Sequence, residues 1–180
     1  GIYATDAAFA VTQDDLHFEG NTGSVQHWGD SDYGGENDEA GGWFENGDLD
    51  EISGIAKKLK IAVYLGVVER AVDRGGHSLY CSLVYINKSG KICSNHRKLQ
   101  PTYDERLTRA QGDGNGLKVH ELNGFKVGGL NCWENWMPLP RTALYAQGEN
   151  LHIAVWPGAE RNTFDITKFI AKESRSFVVS

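Results

Sequence analysis

Apolar and polar positions follow two different periods after residue 50, and each period predicts a different kind of element. Residues 49–59 carry apolar side chains at helical spacing and have a basic end, which suits the C-terminus of a helix. The run 61–68 is continuously apolar and rich in β-branched residues, which is typical of a strand buried on both faces. Further strands are predicted at 79–87, 92–96, 119–122, 125–131, 151–156 and 176–180, and further helices at 138–147 and 162–174.

The order of these elements predicts the fold class. Hairpins in the middle of the chain, followed by strands that alternate with helices, indicate an α/β layered fold with a mixed sheet. The polar stretch 97–117 is a long irregular loop, and a loop of that length inside a compact domain is usually functional or mobile. A chain of 180 residues is long enough for one domain with a substantial core.

Charge divides the chain into two parts. Residues 1–50 contain twelve of the 24 acidic residues, nine of the 22 glycines and no Lys or Arg, so we predict an acidic, loop-rich segment. Residues 51–180 form the predicted domain. The chain is acidic overall and its basic residues form no stripe, which argues against nucleic acid as a partner. No apolar run approaches the ~20 residues that span a bilayer, so we expect no membrane partner.

The cysteine pattern argues against structural cross-links. Cys81, Cys93 and Cys132 are odd in number and widely spaced, unlike a disulfide framework or a CxxC zinc site. The N-terminus lacks a basic region followed by an apolar core, so we expect no secretion signal and a reducing, cytoplasmic setting. The six histidines are scattered, and none is predicted to bind a metal.

The most informative stretch is Gly-Gly-Leu-Asn-Cys-Trp-Glu-Asn at 128–135. A buried strand ends at Cys132 and a helix follows, which predicts a tight turn at the edge of the sheet where α/β proteins bind ligands. Backbone N–H groups after such a turn can face developing negative charge. Two interpretations stay open from these residues alone: a nucleophile, or the buried structural cysteine that is the commoner case. Cys81 and Cys93 lie within predicted strands and are interpreted as packing residues.

Two charged residues precede that turn in the chain. Lys98 lies at the end of a short strand, and Glu105 follows in the polar loop. Taken in isolation, each is predicted to be a surface charge.

Several segments together resemble the nitrilase branch of the carbon–nitrogen hydrolase superfamily over about residues 50–180. The Cys-Trp-Glu sequence favours nitrilases over the amidase and carbamoylase branches. The motifs that carry the resemblance occur in family order and spacing at 66–70, 96–102, 105–107, 112–114, 128–135, 137–145 and 171–180.

The resemblance implies an α-β-β-α sandwich with a Glu-Lys-Cys catalytic set, and we expect it to be incomplete at both ends. Cys132 matches the nucleophile, Lys98 the catalytic lysine and Glu105 a second glutamate. Trp133 matches the residue whose backbone N–H lines the site, and Glu134 matches a glutamate with a mainly structural role.

The first catalytic glutamate of the family normally lies in a Phe-Pro-Glu-like motif, which this sequence lacks. Glu19 lies at roughly the right distance before Lys98, without the proline, and is the candidate. Segment 1–50 otherwise does not resemble the family.

The implied reaction is hydrolysis of a small-molecule nitrile to a carboxylic acid and ammonia through a cysteine thioimidate and thioester, with no metal or organic cofactor. The alternatives are an amidase, a cyanide or nitrile hydratase, or a catalytically silent scaffold. The family also implies a homo-oligomer, a dimer or a spiral, with the helices after Cys132 and at 162–174 near the subunit interface.

Overall fold

Two four-stranded sheets make up the centre of the computed structural model, which describes residues 8–11 (backbone only), 47–71, 78–156 and 160–180. Each sheet combines parallel and antiparallel pairs of strands. The first sheet has the order β1 (Ala8–Val11), β2 (Ala62–Arg70), β3 (Leu79–Ile86), β4 (Ile92–Arg97). The second has the order β5 (His120–Leu122), β6 (Phe125–Asn131), β7 (Leu151–Val155), β8 (Phe177–Val179).

The helices begin and end close to the predicted residues. The first helix, α1 (Asp50–Leu59), is followed by Lys60, which takes a left-handed conformation with φ 56° and closes the last turn. A one-turn helix, α2 (Glu105–Thr108), lies inside the polar loop and was not predicted. The helices are α1 (Asp50–Leu59), α2 (Glu105–Thr108), α3 (Pro138–Tyr145) and α4 (Glu160–Ser174), with a 3₁₀ helix at Cys132–Trp136.

Strand β2 is buried on both faces, as its continuous apolar run predicts. Val63, Leu65 and Val67 pack against Ile52 and Ala56 of α1. Because successive strand residues point to opposite faces, the residues between them face the second sheet. Helix α1 therefore covers the outer side of the first sheet.

The second core lies between the two sheets. Tyr64 and Tyr85 of the first sheet pack with Val127 and Ile153 of the second. On the opposite face of the second sheet, α3 brings Leu144 against β6. The order of layers is helix, sheet, sheet, helix, which confirms the predicted α-β-β-α sandwich. Among the described helices, none combines the length and hydrophobicity needed to cross a bilayer.

Candidate active site

Cys132 lies on a sharp turn between β6 and the 3₁₀ helix. Its φ of +57° is in the left-handed region, which costs a residue with a Cβ roughly 1–2 kcal/mol. The buried strand brings the chain to the sheet edge, and the helix begins at Cys132 itself. The predicted tight turn at the end of a buried strand is therefore confirmed.

Lys98 is buried directly after β4 and is only 1% exposed. Its ammonium donates to Glu105 Oε2 at 2.7 Å and to Thr102 Oγ1 at 2.8 Å. Glu105 is also buried, and its Oε2 accepts the backbone N–H of Thr102 at 2.6 Å. The prediction of surface charges, made from these residues in isolation, is therefore wrong. Each charge tolerates burial because the other compensates it and hydrogen bonds satisfy it.

The electrostatic environment of the Cys132 thiol contains opposing contributions. Burial is the largest and raises its pKa. The charge of Lys98, its hydrogen bond to the thiol and the backbone N–H of Trp133 lower the pKa, while the charge of Glu105 raises it. The net pKa lies above that of an ordinary thiol. The free thiol is consequently protonated at neutral pH, and nucleophilic attack requires its proton to be accepted by a base.

Glu134, two residues after Cys132, forms hydrogen bonds with the segment that carries Lys98. Its side chain is fully buried, with Oε2 accepting from His96 Nε2 at 2.8 Å and Oε1 accepting from the backbone N–H of Leu99 at 2.8 Å. These contacts hold the segment that carries Lys98 against the turn that carries Cys132. They support the structural role that the resemblance implies for this glutamate.

A cavity of about 270 Å³ opens beside the Cys132 turn, and much of its wall is aromatic. The rings of Trp133 and Trp136 lie 5.7 Å apart and are tilted by 30°. Asp104 and Glu105 are acidic residues that line the same cavity. The cavity is lined by Thr102, Tyr103, Asp104, Glu105, Cys132, Trp133, Trp136, Trp156, Asn162 and Thr163.

Of the remaining predicted residues, Cys81 lies next to the site. Its carbonyl oxygen accepts the backbone N–H of Lys98 at 2.8 Å, and its thiol interacts electrostatically with Lys98, Glu105 and Cys132. Cys81 is buried in β3, where burial is the main cause that raises its pKa to about 12, as befits a packing residue. Cys93 is partly buried in β4. Glu19 lies outside the described residues. Within the described part of the chain, no three His, Cys, Asp or Glu side chains are arranged to hold a metal ion.

Three buried polar residues near the turn were missed by the sequence reasoning. Asn135, His152 and Glu149 are at most 5% exposed and form a hydrogen-bonded row behind Cys132. His152 is a polar residue inside the apolar strand β7, which was a sign in the sequence of a buried polar contact. The spacing of the residues could not show that its partner is Asn135.

Comparisons of sequence place the chain among known hydrolases. The family model for carbon-nitrogen hydrolase matches residues 22–177. A nitrilase 2 from an unknown prokaryotic organism is 42% identical over 61% of this chain and 35% of its own length. A bifunctional nitrilase/nitrile hydratase of Lupinus angustifolius is 36% identical over 74% of this chain and 37% of its own. An aliphatic nitrilase of Rhodococcus rhodochrous is 35% identical over 69% and 34%.

The chain thus spans about a third of the length of the curated relatives that it matches. Solved structures share the fold at lower identity. An amidase from Nesterenkonia sp. has a TM-score of 0.62 and 16% identity, covering 74% of this chain and 51% of its own. Saccharomyces cerevisiae Nit3, a member of branch 10 of the nitrilase superfamily, has a TM-score of 0.63 and 18% identity over 72% and 48%. With the sandwich and the motif order, the family match over 22–177 shows that this chain belongs to the carbon–nitrogen hydrolase family of the nitrilase superfamily.

Proposed function

We propose that this chain hydrolyses an organic nitrile to a carboxylic acid and ammonia, with Cys132 as the nucleophile. One observation carries the proposal: a thiol on a left-handed turn has the Lys98 ammonium and the Trp133 N–H beside it and borders a cavity. A nitrile carbon is a weak electrophile, and a thiolate is the strong nucleophile that it needs.

The proposed reaction proceeds in two covalent stages. A base accepts the thiol proton, the sulfur of Cys132 bonds to the nitrile carbon, and the nitrile nitrogen takes up a proton to give a thioimidate. Water then adds to that carbon, the C–N bond breaks, and ammonia leaves a thioester. A second water breaks the C–S bond, which releases the acid and regenerates the thiol.

Lys98 and Trp133 are suited to stabilise the charge that develops on the nitrile nitrogen. A buried ammonium and a fixed backbone N–H act more strongly in a site that excludes bulk water. Glu105 holds the ammonium in place and borders the cavity, so it is suited to exchange protons with the substrate and with water. Glu19 stays the sequence-based candidate for the base that activates water.

The walls of the cavity favour a substrate with an apolar, planar group. Trp133, Trp136 and Trp156 line the same cavity as Cys132, and aromatic rings prefer offset or edge-to-face contact with another ring. An arylnitrile such as benzonitrile fits this chemistry better than acetonitrile.

The first alternative is an amide product, and specific relatives favour it. Relatives from Lupinus angustifolius are named bifunctional nitrilase/nitrile hydratases. Both products share the thioimidate and differ in whether ammonia or the thiol leaves the tetrahedral carbon after water adds. An amidase or a silent scaffold is the further alternative.

Product analysis with benzonitrile tests the proposal. We expect benzoic acid and ammonia in equal amounts, loss of both in Cys132→Ala, and unchanged rates in the matched variant Cys93→Ala. Benzamide with little ammonia indicates the hydratase version. Hydrolysis of benzamide but not benzonitrile indicates an amidase, and no turnover of either compound contradicts an enzymatic role for this chain.

A further inference from the structure

A row of buried polar side chains lies behind the Cys132 turn and has no part in the proposed chemistry. Asn135 and His152 are fully buried, and Glu149 is 5% exposed. They come from the 3₁₀ helix, from β7 and from the loop before β7, so the row crosses three segments. Burying three such groups is costly unless hydrogen bonds compensate, so their contacts are informative.

The hydrogen bonds of Asn135 have fixed directions. The Asn135 amide donates to the carbonyl oxygens of Leu130 at 3.1 Å and Cys132 at 2.9 Å, which uses both of its N–H groups. Its Oδ1 is therefore the acceptor of the 2.8 Å bond from His152 Nε2. His152 Nδ1 lies 2.9 Å from Glu149 Oε1. Whether Nδ1 donates or accepts the hydrogen in its contact with Glu149, Nε2 carries the hydrogen that it donates to Asn135.

The contact with the Cys132 carbonyl determines where the next N–H points. The peptide unit between Cys132 and Trp133 is planar and trans, so its C=O and N–H point in opposite directions. Because Asn135 holds the C=O on the side of the buried row, the N–H of Trp133 is turned the other way. It is turned toward the side of the Cys132 thiol, whose pKa it lowers.

We propose that Asn135, held by His152 and Glu149, is a positioning residue that aims the Trp133 N–H at the reacting atoms and maintains the left-handed turn of Cys132. This inference rests on the proposed cysteine chemistry and adds to it a hydrogen-bonded support that touches neither substrate nor sulfur. The same amide also holds the Leu130 carbonyl. The chain is thereby fixed on both sides of the nucleophile.

Alkylation of Cys132 tests the positioning role without any need for turnover. The second-order rate constant for iodoacetamide is measured against pH on the whole chain, with peptide mapping to separate Cys132 from Cys81 and Cys93. In Asn135→Leu we expect about tenfold slower alkylation at pH 7 and a profile shifted to higher pH, because the thiolate loses an aligned N–H donor. Lys98, Glu105 and Cys81, the titratable groups that interact electrostatically with the Cys132 thiol, are all retained in this variant, so the shift reports on the peptide group.

Two His152 variants keep the test decisive if Asn135→Leu fails to fold. His152→Gln can still donate a side-chain N–H to Asn135 Oδ1 and is expected to alkylate within about threefold of the unmodified chain. His152→Leu cannot donate and should match the slow rate of Asn135→Leu. The control is His120→Phe, which removes a different partly buried hydrogen bond, that of His120 Nε2 with Ser94 Oγ. It should leave the alkylation rate unchanged.

Turnover separates this inference from the proposed function. With benzonitrile, Asn135→Leu should lower kcat by about 10²-fold with little change in KM, the pattern for a misplaced transition-state donor. If the unmodified chain turns over no nitrile or amide, the proposed function fails while the alkylation comparison still decides the positioning role. Folded Asn135→Leu and His152→Leu that alkylate at the normal rate overturn the inference, since a merely structural row would change only stability.

Discussion

The pKa of the Cys132 thiol depends on a balance between burial and nearby groups, among which the Lys98 ammonium is the main one. Burial raises the pKa of the thiol, and the charge of Lys98 is the largest influence that lowers it. The Lys98 side chain is in turn held by a hydrogen bond of 2.7 Å to Glu105. Cys132, Lys98 and Glu105 come from separate motifs and interact electrostatically. A change at Lys98 or Glu105 is therefore expected to alter the pKa of the Cys132 thiol.

Replacement of Lys98 by Met should shift the reactivity of Cys132 toward higher pH. Loss of the positive charge removes a cause that lowers the thiol pKa, so less thiolate exists at each pH, and alkylation at pH 7 should slow by about tenfold. The measurement is the rate of iodoacetamide labelling from pH 6 to 10. Lys91→Met, at the other end of β4, is the control, and equal profiles for both variants contradict the predicted influence of Lys98.

At the scale of elements, Gly128 shows how strand β6 and the buried row depend on each other. A Cβ at this position would fall on Glu149 Oε1 and lie 3.3 Å from Leu144 Cδ1. The space that a side chain would occupy is filled by the carboxylate that pairs with His152. One of the two glycines that precede the Leu-Asn-Cys motif is therefore required by packing.

Substitution of Gly128 by Ala should destabilise the fold by about 1–3 kcal/mol, since the added methyl group must displace the Glu149 carboxylate or α3. Denaturant unfolding measures the change. Gly54→Ala is the matched control: its Cβ would meet nothing within 4 Å in helix α1, and alanine should stabilise that helix by up to about 1 kcal/mol. Changes of the same sign in both variants would argue against the packing explanation.

On the whole-molecule scale, the outer helices expose large apolar side chains. Leu139 of α3 is 80% exposed, and Phe164 and Phe169 of α4 are about half exposed. Apolar surface of this kind is typical of protein–protein interfaces. It supports the prediction, made from the family resemblance, that these helices lie near a subunit interface in a homo-oligomer.

Leu139→Glu should therefore reduce the size of the assembly, because a charge at an apolar interface must lose its hydration. Light scattering after size-exclusion chromatography gives the mass directly. Leu59→Glu, on α1 at the opposite side of the sandwich, changes an exposed leucine in the same way and should have no effect. A monomeric unmodified chain, or equal masses for both variants, contradicts the prediction.

The sequence by itself determined the local elements after residue 50, apart from the one-turn helix α2, and the identity of the motif residues; strand β1 was not predicted. Period-two and helical patterns place the strands and helices within a few residues, because burial of one or both faces selects the side chains directly. The turn at Cys132 was predictable for the same reason, since the apolar strand ends there. The sandwich and the roles of Lys98 and Glu105 came from the family resemblance.

Only the tertiary structure decided which polar groups are buried together. Lys98 and Glu105 are typical surface residues by sequence, and they are buried because they meet each other beside Cys132. Asn135 and His152, 17 positions apart, meet because β6 and β7 are parallel neighbours and the 3₁₀ helix folds back over them. Such pairings depend on how distant segments cross in space, and no local period in the sequence records that.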